Sequence, residues 1–367
     1  MKIVIFGLTI SSSWGNGHAT LWRGLCRALA RQKHRVVFFE YDAPYYAAAR
    51  DLIEIPNGRL VLYPDWQTAR DEAERELADA DVAIVTSYCP DGIAATELVL
   101  GAARPLSVFY DLDTPVTLSR LGRGESLSYL GPVGLGPFDL VLSYTGGAAL
   151  DALRDRLGAR RVAPLYGHVD PDVHRPVEPV GTYVGDLSYL GTYAADRQSA
   201  LETLLVEPAR QRPDQRFVIG GAQYPHDFPW CTNIFFVRHL PPTEHPAFFS
   251  SSKLTLNVTR RAMAEMGWCP SGRLFEAAAC GAAVISDRWA GLEQFFQPGS
   301  EILVAETSDD VVRALDCDEA EIRRLARRAR ERTLCEHTSE RRAEELLRAF
   351  DDARGRVAPD QLESVEA

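Results

Sequence analysis

The chain of 367 residues is 46% hydrophobic and 25% charged, and it carries a formal charge of −11. Its length fits two domains, and its composition is that of an ordinary globular protein. The acidic balance argues against nucleic acid as a bulk polyanionic partner, yet it leaves room for a local basic pocket that takes a small anion.

The opening MKIVIFGLTI has a short apolar run and no small-residue cleavage site, so it reads as a first strand rather than a signal peptide. Short β-rich runs occur at Lys2–Gly7, Arg35–Tyr41, Arg59–Tyr63, Val82–Thr86, Leu106–Tyr110, Leu140–Ser143 and Val162–Leu165. Between them, apolar residues at helical spacing predict helices over Ala19–Gln32, Thr68–Ala80, Asp91–Ala102 and Gly147–Leu157. Such alternation gives a parallel sheet covered by helices on both faces. A Pro-rich stretch from Gly167 to Pro179 then reads as a linker.

The alternation restarts beyond it. Strands are expected at Thr182–Gly185, Arg216–Gly220, Ile234–Val237, Leu254–Val258, Ala283–Ser286 and Glu301–Val304. Helices are expected at Ala194–Arg210, Pro246–Ser251, Ser271–Cys280, Leu292–Phe296 and Asp309–Ala314, followed by charged helical segments at Glu319–Glu336 and Ser339–Ala353. The expected fold class is α/β, with two Rossmann-like doubly wound domains facing across a cleft. The first spans 1–170 and the second 171–338. Residues 339–355 form a helix packing back toward the first domain, and 356–367 form a loose tail.

No apolar run is long enough to cross a bilayer. The seven cysteines are scattered with no C-x-x-C pair, which signals neither a disulfide framework nor a zinc motif, and a cytoplasmic location is expected. Lysine occurs only at positions 2, 33 and 253, so lysine-dependent chemistry such as a pyridoxal Schiff base is nearly excluded.

Ligands of doubly wound sheets bind beyond the carboxyl ends of the strands, so the residues just after each strand carry the functional signal. After the first strand, Ser11 to His18 form a long polar loop. Gly15 and Gly17 allow close backbone approach, and His18 lies near a helix start. Position 20 is Thr, so the dinucleotide fingerprint G-x-G-x-x-G is not completed. Ser87, Tyr88 and Cys89 follow the fourth strand, where Cys89 reads as a buried structural cysteine. Asp111 and Asp113 follow the fifth strand. Two carboxylates there are costly unless solvated, paired or working. Asp113 reads either as a residue facing the acceptor or as the cap of an Asx-type turn.

In the second half, the stretch Leu187 to Thr192, with Tyr189, Gly191 and Thr192, follows the expected first strand and opens a helix containing Arg197. Asn257 and Arg260 stand at a later strand end. The stretch PSGRLFEAAACGAAVISD, Pro270 to Asp287, reads as a helix whose first turn carries Ser271, Arg273 and Glu276, then a stop at Gly281 and a buried strand. A helix N-terminus attracts phosphate through its unpaired N–H groups and its dipole. Arg273 adds a fork of donors suited to phosphate oxygens, and Glu276 can accept from ribose hydroxyls. The combination suggests a nucleoside diphosphate site. The plain structural alternative is a helix capped by Ser271 and packed on a sheet.

The stretches LSYLGTYAADR, LTLNVTR, SGRLFEAAACGAAVISD, GLEQFFQPGSEILV and EHTSERRAEELL, between Tyr183 and Arg342, resemble the GT-B-fold glycosyltransferases. Within them they resemble the CgeB-like group with its "glycosyl transferase family 1, group 2" C-terminal domain. The resemblance implies that the second half binds a nucleoside diphosphate sugar, UDP- or GDP-linked, and that the first half binds the acceptor. It implies ribose binding by Glu276 and neutralisation of the diphosphate by Arg197. It also implies no metal and no other cofactor, because fixed positive groups and helix dipoles meet the charge on the leaving diphosphate.

The chain departs from the better-known retaining members. Trp268 stands where they carry the first of two glutamates, no Lys adjoins Arg197, and Asp111 and Asp113 stand at a strand end where a His often lies. Asp113 as a base would give inversion at the anomeric carbon, whereas kinship points to retention. Two other classes stay open. One is an epimerase of the same fold using Asp111, Asp113, His18 and His168. The other is a non-catalytic sugar-nucleotide-binding protein.

Overall fold

The computed structural model describes residues 1–355, and the tail expected at 356–367 lies outside the described residues. The chain divides into two compact units, one of residues 1–166 together with the segment from Ser339, the other of residues 167–338.

The first unit is built on seven strands: β1 (Lys2–Gly7), β2 (Arg35–Tyr41), β3 (Arg59–Tyr63), β4 (Val82–Thr86), β5 (Leu106–Asp111), β6 (Leu140–Ser143) and β7 (Val162–Pro164). They lie in the order β3-β2-β1-β4-β5-β6-β7, and every neighbouring pair is parallel. In β1, Val4 and Phe6 join one core cluster while Ile3 and Ile5, on the opposite face, are equally buried. Such a strand needs apolar side chains at every position, which is why the sequence shows continuous apolar runs instead of alternation. The Ser339–Ala353 helix belongs to this unit and packs on the Gly17–Arg31 helix, with Arg31 paired to Glu340.

The second unit repeats the plan with β8 (Gly185–Leu190), β9 (Phe217–Gly221), β10 (Ile234–Arg238), β11 (Ser252–Asn257), β12 (Ala283–Ser286) and β13 (Leu303–Val304), in the order β10-β9-β8-β11-β12-β13. These pairings are also parallel. Leu187, Tyr189, Phe217, Ile219, Leu254, Leu256 and Ile285 form its buried centre. The Glu319–Glu336 helix lies on the Gly272–Ala279 helix, whose small side chains allow close approach. In each sheet the strand order reverses beside its first strand, and in such sheets a crevice opens at that point for a ligand.

Several elements differ from expectation. The first strand of the second sheet is Gly185–Leu190, not Thr182–Gly185, so Leu187 to Leu190 lie within a strand. Asp186 and Ser188 give that stretch a loop-like look, but Asp186 accepts from the Arg216 backbone N–H at 2.8 Å and the Ser188 hydroxyl bonds Thr255 at 2.6 Å. The single helix expected over Ala194–Arg210 is instead a 3-10 turn at Ala195–Arg197, then helix interrupted by a π-helical turn at Glu202–Val206. Pro208, which has no N–H to give and crowds the carbonyl four residues back, accounts for the widened turn. Three α-helices were not expected, Thr114–Gly122, Arg261–Met266 and the short Pro44–Ala47. The first carries Pro115 in its opening turn, where proline is tolerated but reads locally as a breaker.

The loop after β1 is held by a buried carboxylate. Glu40, with no exposed surface, accepts from Thr9 Oγ1 at 2.7 Å, Ile10 N at 2.8 Å, Ser11 N at 3.0 Å and Ser11 Oγ at 2.5 Å. Removing it leaves these buried donors without their acceptor. Glu40→Ala is therefore expected to cost about 3 kcal/mol or more of unfolding free energy, as measured by urea denaturation. A loss under about 1 kcal/mol contradicts this anchoring role.

Candidate functional site

The residues singled out from the sequence gather at the carboxyl ends of the strands, as two groups, one in each unit.

In the first unit, the group centres on Asp113. Asn16 caps the Gly17–Arg31 helix by accepting from His18 N at 3.0 Å, which sets His18 in the opening turn. His18 Nε2 lies 3.9 Å from Asp113 Oδ1, and the Tyr88 hydroxyl donates to Asp113 Oδ2 at 2.9 Å. Tyr88, at the end of β4, holds a left-handed backbone with φ of 66°. A bulky residue adopts that conformation only where its surroundings enforce it. Burial, then the Asp113 charge, raises the Tyr88 pKa, so the phenol stays a donor. Gly15 has φ of 62°, and a Cβ on Gly17 would meet nothing within 4 Å, so at Gly17 the protein itself leaves open space.

Asp111 and Asp113 divide the roles that the sequence left undecided. Asp113 occupies the N-cap position of the Thr114–Gly122 helix, but its side chain makes no capping bond. The Asx-type turn belongs to Asp111, whose Oδ1 accepts from Asp113 N at 3.2 Å and from Thr117 Oγ1 at 3.0 Å. Asp111 has no exposed surface, and its Oδ2 is buried without a hydrogen-bond partner. Burial pushes its pKa up to about 6, with the Asp113 charge adding and the bonds from Asp113 N and Thr117 opposing. The structure thus places Asp111 behind Asp113 as its support.

In the second unit, three guanidinium groups gather around the end of β8. Arg273 donates through Nη1 to the Leu190 carbonyl and through Nε to Ser271 Oγ at 3.2 Å. Arg197 donates through Nη1 to the Thr192 carbonyl at 3.3 Å, and its Nε is buried without a partner. Arg260 pairs with Asp196 at 3.2 Å in a more exposed position. Burial lowers the Arg197 pKa; Tyr189 opposes that, Arg273 and Arg260 add to it, and Asp196 opposes again. Two arginines that depress a third are close enough to repel it, and such a cluster is relieved by an anion. The Tyr189 hydroxyl is buried here without a partner. Gly191 sits in the middle, where a Cβ would come within 2.7 Å of the Tyr189 hydroxyl and 2.8 Å of Arg273 Nη1. Tyr224 closes one side by donating to the Gly191 carbonyl at 3.2 Å.

The Pro270–Asp287 stretch forms the expected helix and strand, with differences in detail. Ser271 is the N-cap residue of Gly272–Ala279 but does not cap with its side chain; its hydroxyl accepts from Arg273. Glu276 lies in the second turn, not the first, and is largely buried. His174 Nε2 is 4.0 Å from Glu276 Oε1, and His245 Nδ1 is 3.9 Å from Glu276 Oε2. Asn257 is 2% exposed and donates to Ser286 Oγ at 3.0 Å, tying β11 to β12 from within. Asp287 accepts from Thr259 N at 3.1 Å and Thr259 Oγ1 at 2.9 Å and so fixes the chain just before Arg260. Sequence reasoning missed Asp287, His174 and His245, and it named Tyr88 without a role. The strand-end position was the available signal for Asp287 and Tyr88.

Residues 197–348 match a family profile described as "Glycosyl transferase-like". No curated protein matches the chain. Sucrose-phosphate synthase from Thermosynechococcus elongatus superposes with a TM-score of 0.68 at 15% identity, over 96% of this chain and 99% of that one. HepE from Anabaena, solved in complex with UDP-glucose, gives 0.69 at 12% identity over 96% and 100%. An alpha-glucosyltransferase in complex with UDP-glucose and DNA containing an abasic site gives 0.69 at 13% identity over 95% and 99%. At these identities the likeness is one of fold. The architecture is the GT-B arrangement of two parallel sheets with flanking helices and closing C-terminal helices, as the sequence predicts. No helix among the described residues is long and apolar enough to cross a membrane.

The Asp111 carboxyl gives a pH test. Folding raises its pKa from 3.8 to about 6, so the folded state keeps a proton that the unfolded chain releases. That contribution to stability is complete below the lower value and is lost as pH rises through the upper one. Asp111→Asn, which cannot ionise, is expected to gain roughly 3 kcal/mol over the natural chain well above pH 6 and nothing well below pH 4. Urea unfolding across that range checks it, and an equal effect at both ends contradicts it.

Proposed function

We propose that the protein transfers a hexosyl group from a nucleoside diphosphate sugar, UDP-linked in the first instance, to an acceptor hydroxyl. The observation that carries this reading is the arginine cluster around Gly191. Three guanidinium groups gather there, with Arg273 and Arg260 close enough to disfavour the Arg197 charge, and Arg197 and Arg273 anchored to backbone carbonyls beside the N-terminus of a helix. Charge builds on the diphosphate as the sugar leaves, and preorganised donors of this kind stabilise it without reorganising. The family match over residues 197–348 and the UDP-glucose complexes of the structural neighbours support the donor class. The motifs around Glu276 support the CgeB-like subgroup.

In this reading Arg197 and Arg273 hold the diphosphate, Arg260 adds charge from the rim, and the Ser271 hydroxyl and the following N–H groups donate to the phosphate oxygens. Gly191 and Thr192 give the backbone room for it, with Tyr189 beside them and Asn257 fixing the adjoining strand ends. Glu276 receives the ribose hydroxyls. No metal bridges the phosphates, because the arginines supply that charge.

On the acceptor side, Asp113 and His18 orient the attacking hydroxyl over the open backbone at Gly15 and Gly17, and Asp111 steadies Asp113. Two stereochemical courses start from this arrangement. The His18–Asp113 pair as general base gives direct displacement with inversion. Departure and attack on one face, with the diphosphate taking the proton, gives retention, the course favoured by kinship with the alpha-glucosyltransferase neighbour. The anomeric configuration of the product, read by NMR, separates them.

Arg197→Gln and Arg273→Gln are each expected to weaken UDP-glucose binding by roughly tenfold to a hundredfold, the worth of a charge-assisted hydrogen bond. Asp113→Asn is expected to lower turnover by roughly a hundredfold or more with donor affinity unchanged. Calorimetric titration and release of UDP measure the two. Unchanged affinity in both arginine variants overturns the donor site. Donor binding without released nucleotide across an acceptor panel favours the non-catalytic reading, and an epimerised sugar favours the epimerase.

A further inference from the structure

The carboxylate of Glu276 is flanked on both sides by imidazoles from distant parts of the second unit. His174 comes from the Pro-rich segment and His245 opens the His245–Ser250 helix. One ligand-type atom from each of the three residues lies within 4.8 Å of the others, all in a largely buried position. The contacts on Glu276 at 3.9 and 4.0 Å are too long for hydrogen bonds.

The orientation of His245 sharpens this. Its Nδ1 is buried without a hydrogen-bond partner and faces Glu276 Oε2. A neutral imidazole has one N–H. In the tautomer protonated at Nε2, Nδ1 presents a lone pair toward a carboxylate that also presents lone pairs. Two acceptors face each other, and something positive between them resolves the conflict.

We propose that His174, His245 and Glu276 bind one divalent transition-metal ion, of which zinc is the class best suited to two imidazoles and a carboxylate. Two ligands at tetrahedral angles on zinc stand about 3.4 Å apart, so ligand atoms that now lie within 4.8 Å of one another close in by up to about 1.4 Å on binding. The ion cross-links the Pro-rich segment, the His245–Ser250 helix and the Gly272–Ala279 helix, and it fixes the carboxylate at the middle of that cross-link. Arg273 also acts on the His245 ring, but more weakly than Glu276 does. The site shares Glu276 with the ribose contact proposed above, but it needs no nucleotide, and its test uses none.

The test takes the full chain, dialysed against a chelator and then freed of it. Titration with Co²⁺ is expected to give the visible absorption of a tetrahedral site saturating at one ion per chain, with Zn²⁺ displacing it. Added Zn²⁺ is expected to raise the melting temperature, because an ion that binds only the folded state stabilises it. His245→Gln and His174→Gln are each expected to weaken Co²⁺ binding roughly tenfold or more, while His226→Gln, an exposed histidine elsewhere in the unit, binds as the natural chain does. The natural chain alone decides the matter if a variant fails to fold. Absence of both the cobalt spectrum and the zinc-dependent melting shift at micromolar metal overturns the proposal, as does undiminished binding in folded His245→Gln.

Discussion

Positive charge held out of water is the constraint around which the second unit is arranged. Arg197 is buried deeply enough for desolvation to disfavour its charge, and Arg273 and Arg260 disfavour it further. The chain keeps these groups charged by giving them acceptors of fixed position, the carbonyls of Leu190 and Thr192 at the end of β8. Each arginine spends only part of its donor fork there, since a guanidinium carries five N–H groups. The remainder is available to an anion at a place that the fold has already desolvated. A small anion bound there meets a field several times stronger than on an open surface.

That arrangement depends on the backbone at Gly191. Its missing side chain lets Arg273 and the Tyr189 hydroxyl close over the strand end, and Tyr224 pins the carbonyl on the other side. The first unit presents a different set of side chains at the same strand-end positions. Glu40 fixes the loop after β1, Asp111 fixes the turn after β5, and the group they frame is a carboxylate with a phenol and an imidazole beside it. Buried carboxylates that accept several backbone or hydroxyl bonds serve as anchors, as Glu40 and Asp111 do, whereas Asp113 makes no capping bond with its side chain.

The alternation of strands and helices was legible because strands covered on both faces have to be apolar throughout, as Ile3 to Phe6 are. The strand ends were legible for the same reason: polar residues reappear there. The start of β8 was not, because Asp186 and Ser188 satisfy their polar groups across neighbouring strands, a partnership no local window contains. The split between Asp111 and Asp113 depends on which one turns inward, and a D-x-D spacing leaves that open. Ser271 stands at the cap position but bonds Arg273 instead. His174, His245 and Glu276 meet only through tertiary folding, being far apart along the chain. The start of β8 and the Glu276 cluster depend on long-range partners, whereas the Asp111–Asp113 split and the Ser271–Arg273 bond are choices of side-chain direction between residues two apart.

The most direct measurement is calorimetric titration of the full chain with UDP, UMP and uridine in buffer without added magnesium or manganese. If desolvated arginines are the organising feature, UDP binds under these conditions, and each phosphate removed weakens binding roughly tenfold or more. Equal affinity for all three, or UDP binding only when a divalent cation is added, contradicts the account.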